Sequence, residues 1–147
     1  MSEAIRSFKG AYGFLSNFYP GKVEYEGMEY PTVEHAFQAA KTLDMEKRKP
    51  FQTYATPASA KSRGKRVPLR PDWEDVKIGI MKEIVRDKFV RNDSDMDLKG
   101  ALLLTGDAYL EEGNTHGDRF WGTVKGEGRN ELGKILMEVR EELKNQG

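Results

Sequence analysis

The chain of 147 residues contains no cysteine. Disulfides, thiolate nucleophiles and sulfur-ligated metal centres are thereby excluded, and the composition is compatible with a reducing compartment. Neither sign of charge is in excess. Lys plus Arg (24) balances Asp plus Glu (24), so no whole-molecule field draws the protein to nucleic acid or to an anionic membrane, and any anion site must be local. No stretch approaches the roughly 18 consecutive apolar residues that span a bilayer, and the opening "MSEAIRSFKG" has no apolar signal segment. A cytoplasmic location with no membrane partner is the expectation. Histidine is scarce too: His35 and His116 alone supply a three- or four-ligand metal site poorly, so neither a metal nor another cofactor is expected. No nucleophile and base pair suggests a catalytic triad, and the glycine-rich stretches fit neither a P-loop nor a dinucleotide fingerprint.

What is present is enough for a core: 37% hydrophobic and 10% aromatic residues beneath a surface rich in charge. A length within the usual 100 to about 200 residues per domain predicts a single domain over 1–147. "KVEYEGMEYP" alternates like a hairpin, with a turn near Glu26 and Gly27. The preceding "GAYGFLSNFYPG" reads as a loop with polar Ser16 and Asn17 at its middle. Thr32 is a candidate N-cap for a helix running to about Leu43, and Thr56 and Pro57 open a shorter one. "RPDWEDVKIGIMKEIVRDKFVRN" is the strongest helix, with Asp72 as candidate cap and two apolar stripes that suit a central position. Ser94 or Asp95 could cap a helix through "MDLKGALLL"; "AYLEE" is a strand candidate; "GNTHGDRFWGTVKGEGRN" must be a loop. "NELGKILMEVREEL" closes as a helix, with Asn130 as a candidate cap. About five helices and two to four short strands make the expected fold α+β, mainly helical with a small sheet.

Three stretches could carry chemistry. In "PTVEHAFQAAK" the positions i, i+4 and i+7 superimpose on a helix, so Glu34, Gln38 and Lys41 form one polar row beside an apolar face. The row is either a solvated face or the wall of a site. "AKSRGKRVPLR" carries Lys61, Arg63, Lys65, Arg66 and Arg70 with no acid between them. It is either a solvated basic turn or a phosphate clamp, with Trp73 following as core residue or stacking ring. "GDRFWGTVKGEGRN" joins Asp118, Trp121, Gly122 and Asn130 at a helix start, where glycine lets backbone approach a ligand and free N–H groups favour an anion.

Taken together, "GFLSNF", "PTVEHAFQAAK", "LRPDWEDVKIGIMKEIVRDKF", "LLLTGDAYLEEGN", "GDRFWG" and "GEGRNELGKILMEVRE" resemble the NADAR family, also called YbiA-like, with motifs in family order from about residue 8 to residue 143. The resemblance implies a compact α+β domain and a metal-independent N-glycosidase cleaving a bond between ribose C1 and nitrogen. It makes Glu34 the essential acid, with Lys41 and Asp118 as further catalytic candidates. Asn17, Gln38, Arg63, Arg70, Trp73, Trp121, Gly122 and Asn130 become substrate-binding candidates. His116 departs from the pattern, which leads one to expect an aromatic such as Trp there. The ligand implied is a small phosphorylated N-riboside, such as a ribosylamino-pyrimidine phosphate of riboflavin biosynthesis. The rivals are ADP-ribose removed from modified guanine in DNA, and a non-catalytic ADP-ribose or nucleotide sensor. A carboxylate beside the sugar argues against the sensor; the sequence is silent on oligomeric state.

Overall fold

A computed structural model describes residues 3–146. The fold is mainly helical with one small antiparallel sheet, the α+β class expected. The chain divides into two compact units, one of residues 17–96 and one combining residues up to 16 with those from 97 onward.

The first of these, the central unit, starts from the hairpin. Strands β1 (Val23–Tyr25) and β2 (Met28–Tyr30) pair Val23 with Tyr30 and Tyr25 with Met28. Glu26 and Gly27 turn between them at φ 48 and 84°, the doubly left-handed turn whose twist suits a two-residue hairpin. Val23, Tyr25 and Tyr30 alternate onto the buried face. Helix α1 (Val33–Ala39) packs against both strands. Thr32 caps it as expected, accepting from the His35 N–H. It stops four residues before Leu43, because Lys41 N–H and Thr42 N–H reach back only three residues, to Gln38 and Ala39, tightening the last turn.

A short helix α2 (Met45–Arg48) and a 3-10 turn (Lys49–Gln52) follow. Arg48 is fully buried, donating to the Thr42 carbonyl and to Glu26 at the hairpin tip. Helix α3 (Pro57–Gly64) has Thr56 as cap and Pro57 in its first turn, and it lies against α1. Helix α4 (Trp73–Arg91) contacts α1 and β1, burying Trp73, Ile80, Met81, Ile84, Val85 and Phe89. Asp72 precedes α4 but makes no capping bond; its carboxylate is held by Arg70 instead.

The other unit pairs helix α5 (Leu98–Leu104) with helix α6 (Glu131–Gln146). The cap of α5 is Asp97 rather than Ser94 or Asp95, since its carboxylate reaches the Gly100 N–H. Leu132, Ile135, Leu136, Val139 and Leu143 are the buried stripe of α6, as the spacing predicts. "GAYGFL" forms a 3-10 helix (Gly10–Leu15) where a loop was expected, with Phe14 and Leu15 buried. "AYLEE" makes a single parallel bridge, Leu110 with Ile5, in place of a strand. The 114–130 stretch is a loop pinned by bridges Gly113–Thr123 and Val124–Glu127.

Candidate active site

In the central unit the polar row on α1 is not solvated. Glu34 is 8% exposed and Gln38 5%, so the wet-surface alternative is removed for both. Gln38 Nε2 donates to Glu34 Oε2. The other atom of that amide, Oε1, is buried with no hydrogen-bond partner. A buried acceptor left open costs about 1–3 kcal/mol, and such groups gather where a ligand completes the bonding. Lys41, just past the helix, is half-buried. Burial pushes its ammonium below the ordinary lysine range; Glu34 opposes the shift, and Lys61, Lys65 and Lys77 add to it. Glu34 is thus coupled to Lys41, whose surroundings are locally positive inside a neutral chain.

Gly64 explains how Gln38 is seated. Any side chain there would run into the Gln38 amide, so the α1–α3 contact is close only because that position is bare. The sequence shows a glycine inside "KSRGK"; its partner across the helix pair is not legible from spacing. Asn17 lies half-buried at the start of the unit. Its carbonyl accepts from the Glu34 N–H, and its side-chain amide donates to the Met81 sulfur. Asn17 therefore fixes the first turn that carries Glu34.

The basic stretch separates into two kinds of residue. Arg63 is exposed, its guanidinium 5.7 Å from the centre of the Tyr54 ring. Arg70 is engaged: Nε and Nη2 donate to the two oxygens of Asp72 at 2.7 and 3.2 Å, and its backbone N–H donates to the Lys41 carbonyl at 2.7 Å. The Asp72 bond raises Arg70's pKa and lowers that of Asp72. A phosphate at Arg70 would have to displace this fork. Trp73 is buried against Phe37, ring centres 5.0 Å apart, which is the core alternative weighed for it. His35 is buried, bonded to the Thr32 hydroxyl and the Tyr54 carbonyl, and burial lowers its pKa.

In the other unit Asp118, Trp121, Gly122 and Asn130 share one hydrogen-bonded loop. Asp118 Oδ1 accepts from the N–H groups of Phe120 and Trp121 at 3.0 and 2.9 Å. Asn114 donates to the Asp118 carbonyl and accepts its N–H. Asn130 is buried at φ 53° and reaches away from α6: it donates to the Leu110 carbonyl and the Tyr109 hydroxyl and accepts from the Glu112 N–H. The expected cap is thus a cross-brace. Gly122 is buried where a Cβ would strike Glu112, so its bareness serves this packing. Trp121 stays half-buried, edge-on to Phe120, and His116 is exposed. Asn114 was missed by the sequence reading; its spacing of four from Asp118 was the available signal. Among the described residues no group of three or more His, Asp and Glu is placed to hold a metal ion, and no helix is long and apolar enough to cross a membrane.

Comparison with known proteins agrees with these motifs. The NADAR domain family model matches residues 6–144: the chain belongs to the NADAR domain family. N-glycosidase YbiA of Escherichia coli is 39% identical, the match covering 97% of this chain and 91% of that protein. The riboflavin biosynthesis protein VVA0006 of Vibrio vulnificus is 43% identical over 90% of this chain, but the match spans only 36% of its length. The NMR structure of E. coli YbiA superposes with a TM-score of 0.83 at 37% identity, covering 99% of this chain and 88% of that one.

Proposed function

We propose that the protein is an N-glycosidase that hydrolyses the C1–N bond of a small N-ribosyl 5′-phosphate, of the ribosylamino-pyrimidine type. The observation that carries the reading is the buried Glu34, bonded to Gln38 and set beside Lys41. Support for the reaction class comes from the relatives named N-glycosidase. Support for the substrate comes from two named riboflavin biosynthesis proteins, the Vibrio one and a chloroplastic one of maize, which is 34% identical.

Cleavage of an N-glycoside passes through an oxocarbenium-like sugar, so a carboxylate near the anomeric carbon stabilises the charge that develops there. Glu34 fills that role and takes a proton from the attacking water. The water oxygen bonds to C1, the C1–N electron pair leaves on nitrogen, and a proton returns to that nitrogen. Gln38 Oε1 accepts from a ribose hydroxyl or from the base. Lys41 and the cations around it draw in the phosphate, with exposed Arg63 as its contact. Arg70 and Asn17 position Lys41 and Glu34. Trp73 is a packing wall behind Phe37; within the other unit Asp118 and Asn130 hold the loop that carries Trp121.

Purified Glu34→Gln protein with unchanged circular dichroism tests this. Incubation with the ribosylamino-pyrimidine phosphate, ADP-ribosylated guanine DNA and NAD, read by mass spectrometry, should show wild-type release of ribose 5-phosphate from the first and loss of about 10²- to 10⁴-fold in the variant. Near-wild-type turnover by Glu34→Gln removes the mechanism, and release of ADP-ribose from the DNA instead replaces the substrate.

A further inference from the structure

The unit that contains α5 and α6 holds a cavity of about 350 Å³, between the segments 6–9, 111–115 and 123–126. Of its lining residues, Asn114 appears above as the partner of Asp118, and none belongs to the proposed reaction. We propose that it is a second binding site, for a small phosphorylated ligand such as a diphosphate ester.

Charge is the first argument. The lining carries Arg6, Lys9 and Lys125 against a single acid, Glu111, in a chain whose net charge is zero. Glu111 is buried and fully engaged: one oxygen accepts from Arg6 Nη1 at 2.6 Å and the other from the Thr123 hydroxyl. Lys9 and Lys125 have no ion-pair partner among the described residues, and Arg6 keeps Nε and Nη2 for a planar two-bond contact with an anion. Ser7 and Thr115 add exposed hydroxyls that make no hydrogen bond among the described residues.

The second argument is that the cavity is built. Its floor is backbone paired to backbone, Glu111 N–H to the Ile5 carbonyl and Gly113 N–H to the Arg6 carbonyl. At Gly113 a Cβ would strike that same Arg6 carbonyl. Lys125 stands at the tip of a two-residue turn closed by reciprocal bonds between Val124 and Glu127, at φ 53° with Gly126 at φ 80°. Asn or Gly is preferred at such a position, and lysine is an unfavourable choice for it. The turn fixes the backbone from which the Lys125 side chain starts, and a pre-ordered support lowers the ordering penalty of binding.

Size and count fix the ligand class. The volume falls within the range of roughly 300–1,000 Å³ for small-molecule sites and exceeds what a bare phosphate fills. Three cations are too few for a nucleic-acid backbone, where about 6–10 phosphate contacts sustain strong binding.

Titration of the ¹⁵N-labelled 147-residue chain with pyrophosphate at constant ionic strength tests the site. Amide shifts should concentrate on residues 7–9, 113–115 and 125–126. The Lys9→Ala/Lys125→Ala variant should bind at least about tenfold more weakly, having lost two charge-assisted contacts, while the exposed Lys144→Ala control binds as wild type. Absence of localised shifts, or equal weakening by Lys144→Ala, overturns the proposal. So does a short single-stranded DNA that binds the same amides more tightly than pyrophosphate. The Glu34→Gln protein should titrate like wild type, so failure here and failure of the N-glycosidase reading are separable.

Discussion

The α1 region and the 114–130 loop use similar polar side chains to opposite ends. Around α1, Gln38 spends its amide N–H on Glu34 and leaves Oε1 buried without a partner, while Lys41 is desolvated among like charges. In the loop Asn114, Asp118 and Asn130 direct their bonds at neighbouring backbone: both atoms of the Asn130 amide are used, and one Asp118 oxygen holds two N–H groups. Satisfied networks rigidify, and unsatisfied ones hold free energy that only a ligand can release. On the proposed reading the difference places the reaction at the first region and leaves Asp118 and Asn130 of the second to brace their loop, although the two motifs look equally polar on paper.

The largest effect that could break this contrast compares Glu34→Gln with Asp118→Asn. Steady-state kinetics should show kcat falling by about 10²–10⁴ for Glu34→Gln with little change in melting temperature. Asp118→Asn, which keeps an acceptor oxygen, should cost less than about tenfold. An Asp118→Asn protein that melts like wild type yet is inactive would make Asp118 a participant in the reaction and dissolve the distinction. Next comes Asn130→Ala, which removes three hydrogen bonds and places alanine at a left-handed φ of 53°. Denaturant unfolding should show a loss of about 2–4 kcal/mol. Asn130→Gly should recover the backbone part alone, so equal losses in both variants would mean that the side-chain brace carries the whole effect.

Much of this was legible because it is local. Thr32, Thr56 and Pro57 mark helix starts through bonds within three residues, the Glu26–Gly27 turn follows from a two-residue gap between alternating runs, and the α6 stripe is a period. The row of Glu34 and Gln38 was also visible, but whether it was wet depended on packing by α3 and α4, which spacing does not encode. Asp72 shows the limit most directly. As a residue type and position it suits an N-cap, yet a neighbouring arginine competes for the same carboxylate and wins, since an ion pair with two bonds outweighs one cap. Asn130 failed as a cap for a similar reason: its left-handed backbone aims the amide at residues about 20 positions earlier in the chain.

Gly64→Ala probes the seat of Gln38 with a smaller expected effect. Alanine is favoured over glycine in a helix by about 1 kcal/mol, so a neutral site would be stabilised. Here the methyl group meets the Gln38 amide, and overpacking of about 1–3 kcal/mol opposes the gain. Near-zero net stability with kcat reduced severalfold is expected, and a stabilised, fully active variant would show that the Gln38–Glu34 bond is dispensable.

A last test concerns stability rather than turnover and asks whether buried cations in the central unit are a general cost. Lys88 of α4 is fully buried, its ammonium 5.1 Å from the centre of the Phe89 ring, and burial pushes its pKa from 10.5 down to about 7. The unfolded chain therefore binds this proton up to pH about 10, whereas the folded chain releases it near 7. Between those values the unfolded state carries more protons, so stability rises with pH, and below about 7 the full penalty applies. Lys41 shifts in the same direction and adds to the slope, whereas His35, lowered from an ordinary value of 6.5, contributes only at the acid end below that value. Chemical denaturation from pH 6 to about 9.5 should thus show wild-type stability climbing. Lys88→Met, of similar length and apolar, should be more stable at the acid end and show a shallower climb. An unchanged slope in Lys88→Met would mean that Lys88 keeps its charge in the folded protein, and that the downward shift found at Lys41 is not shared by α4.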